Sequence, residues 1–177
     1  MIFRCEELEE AFGEAIRTEY ENVLQLIGEG IRERGYLAPQ DLFYIICWKS
    51  PARVATFGRA VVNAFKCIEK EGVEGIRNVT REAIELSGKD NVEESIKKLT
   101  ELYGVGTRVA SAILTFYDPE RFGALDVNAW KALYSEERRV FEPKDYVRYL
   151  KDIRELAQRC GLTPRKADLA LYSIGKH

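Results

Sequence analysis

Hydrophobic positions recur at helical intervals along nearly the whole chain, and no stretch alternates at period two for long enough to make a strand. The pattern predicts an all-α fold. In residues 6–34, Leu8, Phe12, Ile16, Tyr20, Val23, Leu24, Ile27 and Ile31 share one face, which gives one or two helices stopped at Gly35. Pro39 in a first-turn position restarts a buried helix over 40–48. Two short helical patterns lie between Gly72 and Ser87 and are closed by Gly88, and Asn91 with Glu94 three residues on has the spacing of a capping box. Asp126 opens a helix with Trp130 and Leu133 on one face. Residues 143–160 bury Tyr146, Tyr149, Leu150, Ile153, Leu156 and Ala157, and Thr163-Pro164 caps and starts a terminal helix.

The most specific pattern runs from 92 to 117. Ile96, Leu99 and Leu102 lead into Tyr103, and Gly104-Val105-Gly106 then breaks the helix where a positive φ or a close approach is needed. A second helix starts at once: Thr107 caps it, and Val109, Ala110, Ile113, Leu114 and Tyr117 recur until Asp118-Pro119. The product is a hairpin of two helices. Its turn offers unpaired backbone N–H groups and the positive end of a helix dipole, a setting that favours an anion such as phosphate. Lys97 and Lys98 precede the turn and add positive charge beside it.

Composition narrows the class. A chain of 177 residues with 46% hydrophobic residues suffices for one compact domain or two small lobes sharing a core. A net charge of −2 argues against a protein that coats nucleic acid indiscriminately, but the charge is uneven. Residues 6–33 carry nine glutamates, Glu9 and Glu10 among them, on a face that should point away from phosphate. Lys49, Arg53, Arg59 and Lys66 follow with no acidic residue between them, interleaved with Trp48 and Phe57, and form a candidate phosphate-facing segment. No run reaches transmembrane length and the first residues do not read as a signal peptide, so no membrane partner and an intracellular location are expected. Cys5, Cys47, Cys67 and Cys160 are scattered without a CxxC pair, and His177 is the sole histidine. That inventory excludes structural zinc and suggests four free thiols in a reducing compartment.

The spacing apolar-x-x-apolar-x-Gly-apolar-Gly-x-x-x-Ala-x-x-Ile at 99–113 resembles the helix-hairpin-helix motif of DNA-binding proteins. The resemblance extends to base-excision DNA glycosylases of the endonuclease III and 8-oxoguanine glycosylase type. In these, a block carrying an essential aspartate follows the hairpin. The corresponding segment is Ala124-Leu125-Asp126-Val127-Asn128, with the aspartate kept as Asp126 and the family's histidine replaced by Asn128. The family's Schiff-base lysine corresponds to Arg108, which cannot deprotonate and so cannot act as an amine nucleophile. It retains the ability to bind a phosphate or a base edge.

The resemblance implies a two-lobed helical fold with a core over 39–133, the hairpin at 92–117, and residues 1–38 and 134–177 closing the second lobe. It implies duplex DNA as partner, bound through Gly104, Val105, Gly106, Thr107 and Arg108 together with Lys97, Lys98, Lys49, Arg53 and Arg59. If the chain is an enzyme, it implies a monofunctional N-glycosylase in which Asp126 assists hydrolysis. The alternative is a non-catalytic relative that binds nucleic acid or serves as an adaptor. The family often holds a monovalent cation on carbonyls corresponding to Thr100, Leu102 and Val105. No iron-sulfur cluster is implied, since Cys160 stands alone in its region.

Overall fold

The computed structural model describes the backbone of residues 3–15, 18–50 and 54–176, and the side chains of these except 15, 18–20 and 54–56. Ile16, Pro51, Arg53 and His177, and the side chain of Tyr20, therefore lie outside the described residues. Among the described residues the fold is all-α, with nine helices and no strand. They are α1 (Cys5–Ala15), α2 (Thr18–Arg34), α3 (Pro39–Trp48), α4 (Val54–Gly88), α5 (Val92–Leu99), α6 (Thr107–Tyr117), α7 (Val127–Tyr134), α8 (Pro143–Cys160) and α9 (Pro164–Ile174).

Local signals account for most of the boundaries. Pro39 and Pro164 begin their helices, the Thr163 hydroxyl accepts the Lys166 N–H, and the buried Asp41 carboxylate accepts the Ala38 N–H at 2.8 Å. Two local expectations are corrected. The short patterns between Gly72 and Ser87 form one helical segment of α4, because Ile76, Thr80, Ala83 and Ile84 make a continuous buried stripe; the break lies at Gly72, where φ is +66°. Asn91 makes no side-chain cap, and Glu94 pairs with Lys97 at 2.7 Å instead of reaching back to the Asn91 N–H.

Helices α3 and α5 pack on α4, α2 crosses α6, and α1 lies along α9, which also packs against α7 and α8. The first and last helices thus meet, and α8 packs on both helices of the α5–α6 hairpin. Trp130, Tyr146, Tyr149, Phe116 and Phe122 are fully buried. Truncating a phenylalanine such as Phe122 to alanine would cost about 3–5 kcal/mol through forgone transfer energy and the cavity left behind. No described helix is long and apolar enough to cross a membrane.

The expectation of four free thiols is overturned for two of them. Packing of α1 on the C-terminal helices brings Cys5 within 5.2 Å (Cα to Cα) of Cys160, and the two form a disulfide across 155 residues of sequence. Spacing alone gives no sign of such a pairing. Cys47 and Cys67 remain free, and burial pushes the Cys67 thiol up to about 11.

Candidate functional site

The turn between α5 and α6 has two faces. Val105 is buried in the core and its N–H donates to the Leu102 carbonyl at 3.0 Å, which anchors the turn from within. Gly104 adopts φ +74°, a conformation that a side chain disfavours, whereas Gly106 is extended and is the N-cap residue of α6. A Cβ on Gly106 would meet nothing within 4 Å, so the outer face of the turn is open. The N–H groups of Gly106, Thr107 and Arg108 have no acceptor among the described residues, and they point the positive end of α6 outward. The Tyr103 N–H is occupied by the Glu71 carboxylate at 3.0 Å.

The lysines before the turn are less available than their sequence position implies. Lys97 pairs with Glu93 and Glu94 at 2.9 and 2.7 Å, and Lys98 with Glu82 and Glu101 at 2.9 and 3.0 Å. These carboxylates raise both lysines above their ordinary value and offset their charge beside the turn. Among the carbonyls that the resemblance assigns to a cation, that of Leu102 already accepts the Val105 N–H, and those of Thr100 and Val105 accept no bond from described residues outside α5 and α6. Neutral backbone oxygens of this kind suit a weakly held hard cation.

Asp126 sits at the N-cap of α7, where its Oδ1 accepts the Asn128 N–H at 3.0 Å. Its Oδ2 faces two cations, Arg108 at 3.0 Å and the Lys49 Nζ at 3.7 Å. Burial alone would raise this carboxyl, but the Lys49 charge, the Asn128 N–H and Arg108 outweigh it and hold Asp126 below the usual carboxylate value. Arg108 leaves the first turn of α6 directly after the open glycine turn, so the carboxylate and the turn are one arrangement. Ser111 fastens it from below: its hydroxyl donates to the Arg108 carbonyl at 2.8 Å and accepts the Leu125 N–H at 3.0 Å. Behind Asn128, a Cβ on Gly175 would collide with the Asn128 carbonyl, so α9 closes tightly on the start of α7.

Lys49 corrects the sequence reading. The basic segment places it on a phosphate-facing surface; in the fold it is buried, donates to the Ala124 carbonyl at 3.3 Å, and lies beside Asp126. Burial lowers it to about 8, partly opposed by Asp126 and Asp168 and reinforced by Arg108 and Arg165. The reason is topological, because the end of α3 runs into the α6 and α9 side of the core rather than to solvent. Of the remaining basic segment, Arg59 and Lys66 are exposed on α4 together with Phe57, Val62 and Phe65.

A second polar layer, which sequence reasoning missed, backs the first. Asp168 is buried and accepts the Ala124 N–H at 3.1 Å, the Tyr149 hydroxyl at 2.7 Å and Arg165 at 2.9 Å. Burial raises the Asp168 carboxyl despite Arg165, Lys49 and the tyrosine, and burial with Asp168 raises Tyr149 well above the ordinary phenol. Arg165, in the first turn of α9, turns inward, pairs with Glu21 at 2.7 Å and lies over the Trp48 ring. Glu21 is thereby removed from the acidic outer face. Trp48, partly buried, packs edge-on against the buried Phe116 at the margin of the core. The one available signal is the i,i+3 spacing of Arg165 and Asp168 at a helix start, which is common on any helix surface.

No family model, curated protein or solved structure matches the chain.

Proposed function

We propose that this chain is a helix-hairpin-helix DNA-binding protein with a DNA-glycosylase-like fold, and that it removes a damaged or mismatched base from duplex DNA by hydrolysis. The observation that carries the reading is the ion pair between Arg108 and Asp126, which couples an open, donor-rich glycine turn to a carboxylate kept ionised. The Gly106, Thr107 and Arg108 N–H groups bind a DNA phosphate, and the open face beside Gly104 and Gly106 admits its bulk. With the duplex held there, a base flipped from the stack brings its deoxyribose to Asp126. The fixed carboxylate stabilises positive charge developing on the sugar, or orients the attacking water. A monovalent cation on the Thr100, Leu102 and Val105 carbonyls would add positive charge near that phosphate. Arg108 supplies no nucleophile and holds the carboxylate in place.

The test is single-turnover base release from duplexes carrying a panel of damaged or mismatched bases, with products developed by alkali and wild type compared with Asp126→Asn. Release by wild type and a drop of roughly 10²–10³-fold in the variant is the expected result, on the scale of removing one preorganised electrostatic group. Salt-sensitive duplex binding without release from any substrate would replace this reading with that of a non-catalytic DNA-binding relative.

A further inference from the structure

The outer face of α4 beside the glycine turn carries side chains that neither the core nor the Asp126 cluster uses. Within residues 57–65, Phe57 (52%), Val62 (50%) and Phe65 (61%) are exposed, and Tyr103 at the turn is 39% exposed. A single exposed apolar side chain is ordinary, whereas a cluster of them marks an interaction surface. Arg59, Val62, Lys66 and Lys70 follow at spacings of three and four residues and so share one stripe of the helix. Phe57, Val61 and Phe65, four apart, edge that stripe toward α3, where the Phe65 ring lies 5.2 Å from that of Phe43. The hairpin forms its other edge: the Glu71 carboxylate accepts the Tyr103 N–H at 3.0 Å, Lys70 lies 4.6 Å from the centre of the Tyr103 ring, and the Asn63 Cβ is 4.0 Å from a Cβ built on Gly104. The stripe therefore runs directly beside the open turn.

Charge decides which kind of partner fits. Between residues 57 and 70 Glu69 is the sole acid, against Arg59, Lys66 and Lys70, and these three cations make no ion pair among the described residues. Lys97 and Lys98, by contrast, are offset by their own glutamates. The stripe thus suits a polyanion, and its rings decide which form. A duplex hides its base faces in the stack and presents phosphate, sugar and base edges, which do not cover a phenyl ring. An unpaired base offers its flat face, and every base has one to stack on an aromatic side chain.

We propose that this face of α4 binds a single-stranded stretch of DNA adjoining the duplex, with unpaired bases stacked on Phe57, Phe65 and Tyr103. The inference rests on the reading of the glycine turn as a site for a duplex phosphate, because a strand leaving that phosphate meets Tyr103 and then α4. The three cations attract the phosphates of paired and unpaired DNA alike, and the rings supply the preference. From Phe57 to Lys70 the stripe is about 20 Å long at 1.5 Å per residue, enough for several nucleotides of extended strand. The preferred substrate is thus DNA in which a paired segment passes into an unpaired one, as at an overhang or a gap. No particular base is selected there, since stacking of this kind tolerates any sequence.

The experiment uses the full chain and fluorescein-labelled duplexes that are blunt or carry a 5′ or 3′ oligothymidylate overhang, with affinity read by fluorescence anisotropy. One overhang polarity should bind at least about fivefold more tightly than the blunt duplex, the scale of a single stacked base. Phe57→Ala should remove about fivefold of that advantage and leave blunt-duplex affinity and thermal unfolding nearly unchanged. Phe65 also touches Phe43, so a measurement on wild type accompanies the variants: 5-iodouracil in the overhang is photocrosslinked and the adduct mapped by peptide mass analysis. Adducts on Phe57, Phe65 or Tyr103 are the expected result. Equal binding of blunt and overhang duplexes, or adducts confined to other residues, would overturn the role of α4 and leave the duplex reading standing. Flotation with phosphatidylserine vesicles that Phe57→Ala abolishes, without any overhang advantage, would assign this face to a lipid surface instead. Binding of neither duplex would overturn both readings.

Discussion

The glycine turn and the charged cluster around Asp126 lie at the two ends of one arginine, yet they are built on opposite plans. At the turn, three backbone N–H groups lack a described acceptor, a missing Cβ leaves open space, and the nearby lysines are neutralised by their own glutamates. In the cluster the charges are matched: Asp126 with Arg108 and Lys49, Asp168 with Arg165, and Arg165 with Glu21. The turn is therefore ready to take an anion from outside, because its donors give up only water. The Asp126 cluster offers no such vacancy, and a ligand there must displace a protein group from the carboxylate. On the proposed reading that difference separates binding from chemistry, and it is open to direct attack.

The largest effect should come from the turn itself. Gly104→Val forces a β-branched residue to φ +74°, which should cost about 1–3 kcal/mol and weaken duplex binding together with stability. Gly106→Val meets open space at an ordinary backbone angle, so thermal unfolding should hardly move while duplex affinity falls. If both variants lose stability equally, the turn is not open in the way described. Thermal melts beside binding titrations read the two apart.

The Asp126 cluster should respond to acid with a definite sign. Asp126 is held below its ordinary 3.8, so its ion pairs contribute stability that is present above that value and is lost as pH falls through the lower folded value. Asn at position 126 still caps α7 but forgoes the charge. The stability gap between wild type and Asp126→Asn should be roughly 1–2 kcal/mol at neutral pH and should close below about pH 3.8. Asp168 acts in the opposite sense, since its raised carboxyl is relieved by protonation above that pH. A gap independent of pH would show that Lys49 and Arg108 do not stabilise the carboxylate.

The smallest effect belongs to the surface. Arg59→Ala should weaken duplex binding by a few-fold and reduce the slope of log affinity against log salt by about one, as expected when one cation no longer neutralises a phosphate. Glu9→Ala with Glu10→Ala should leave both unchanged, as these residues lie on the exposed face of α1. An equal weakening from the glutamate variants would mean that the duplex approaches from the other side.

How far the chain can be read in advance varies with the range of the interaction. Pro39, Gly35, Gly104, Asp126, Thr163 and Pro164 act within a turn of their own position, and the boundaries that they mark are where the sequence puts them. Lys49 illustrates the failure. A run of basic residues without acidic neighbours reads as a solvated face, but the partners that hold it in the interior, Asp126 and Asp168, lie more than seventy residues away. The Cys5–Cys160 bond and the inward turn of Glu21 onto Arg165 are hidden for the same reason.

The helical class, the hairpin with its donor-rich turn, the capping aspartate and the arginine after the turn were all legible in the order of residues alone. These follow from hydrophobic periodicity and from φ, cap and proline preferences, which depend on near neighbours. Tertiary structure alone decided that Lys49 meets Asp126, that Asp168 and Arg165 stand behind it, and that the ends of the chain are joined. The energy of a buried charge depends on which other charges share its low-dielectric surroundings, and only the packing of α3, α6, α7 and α9 chooses them.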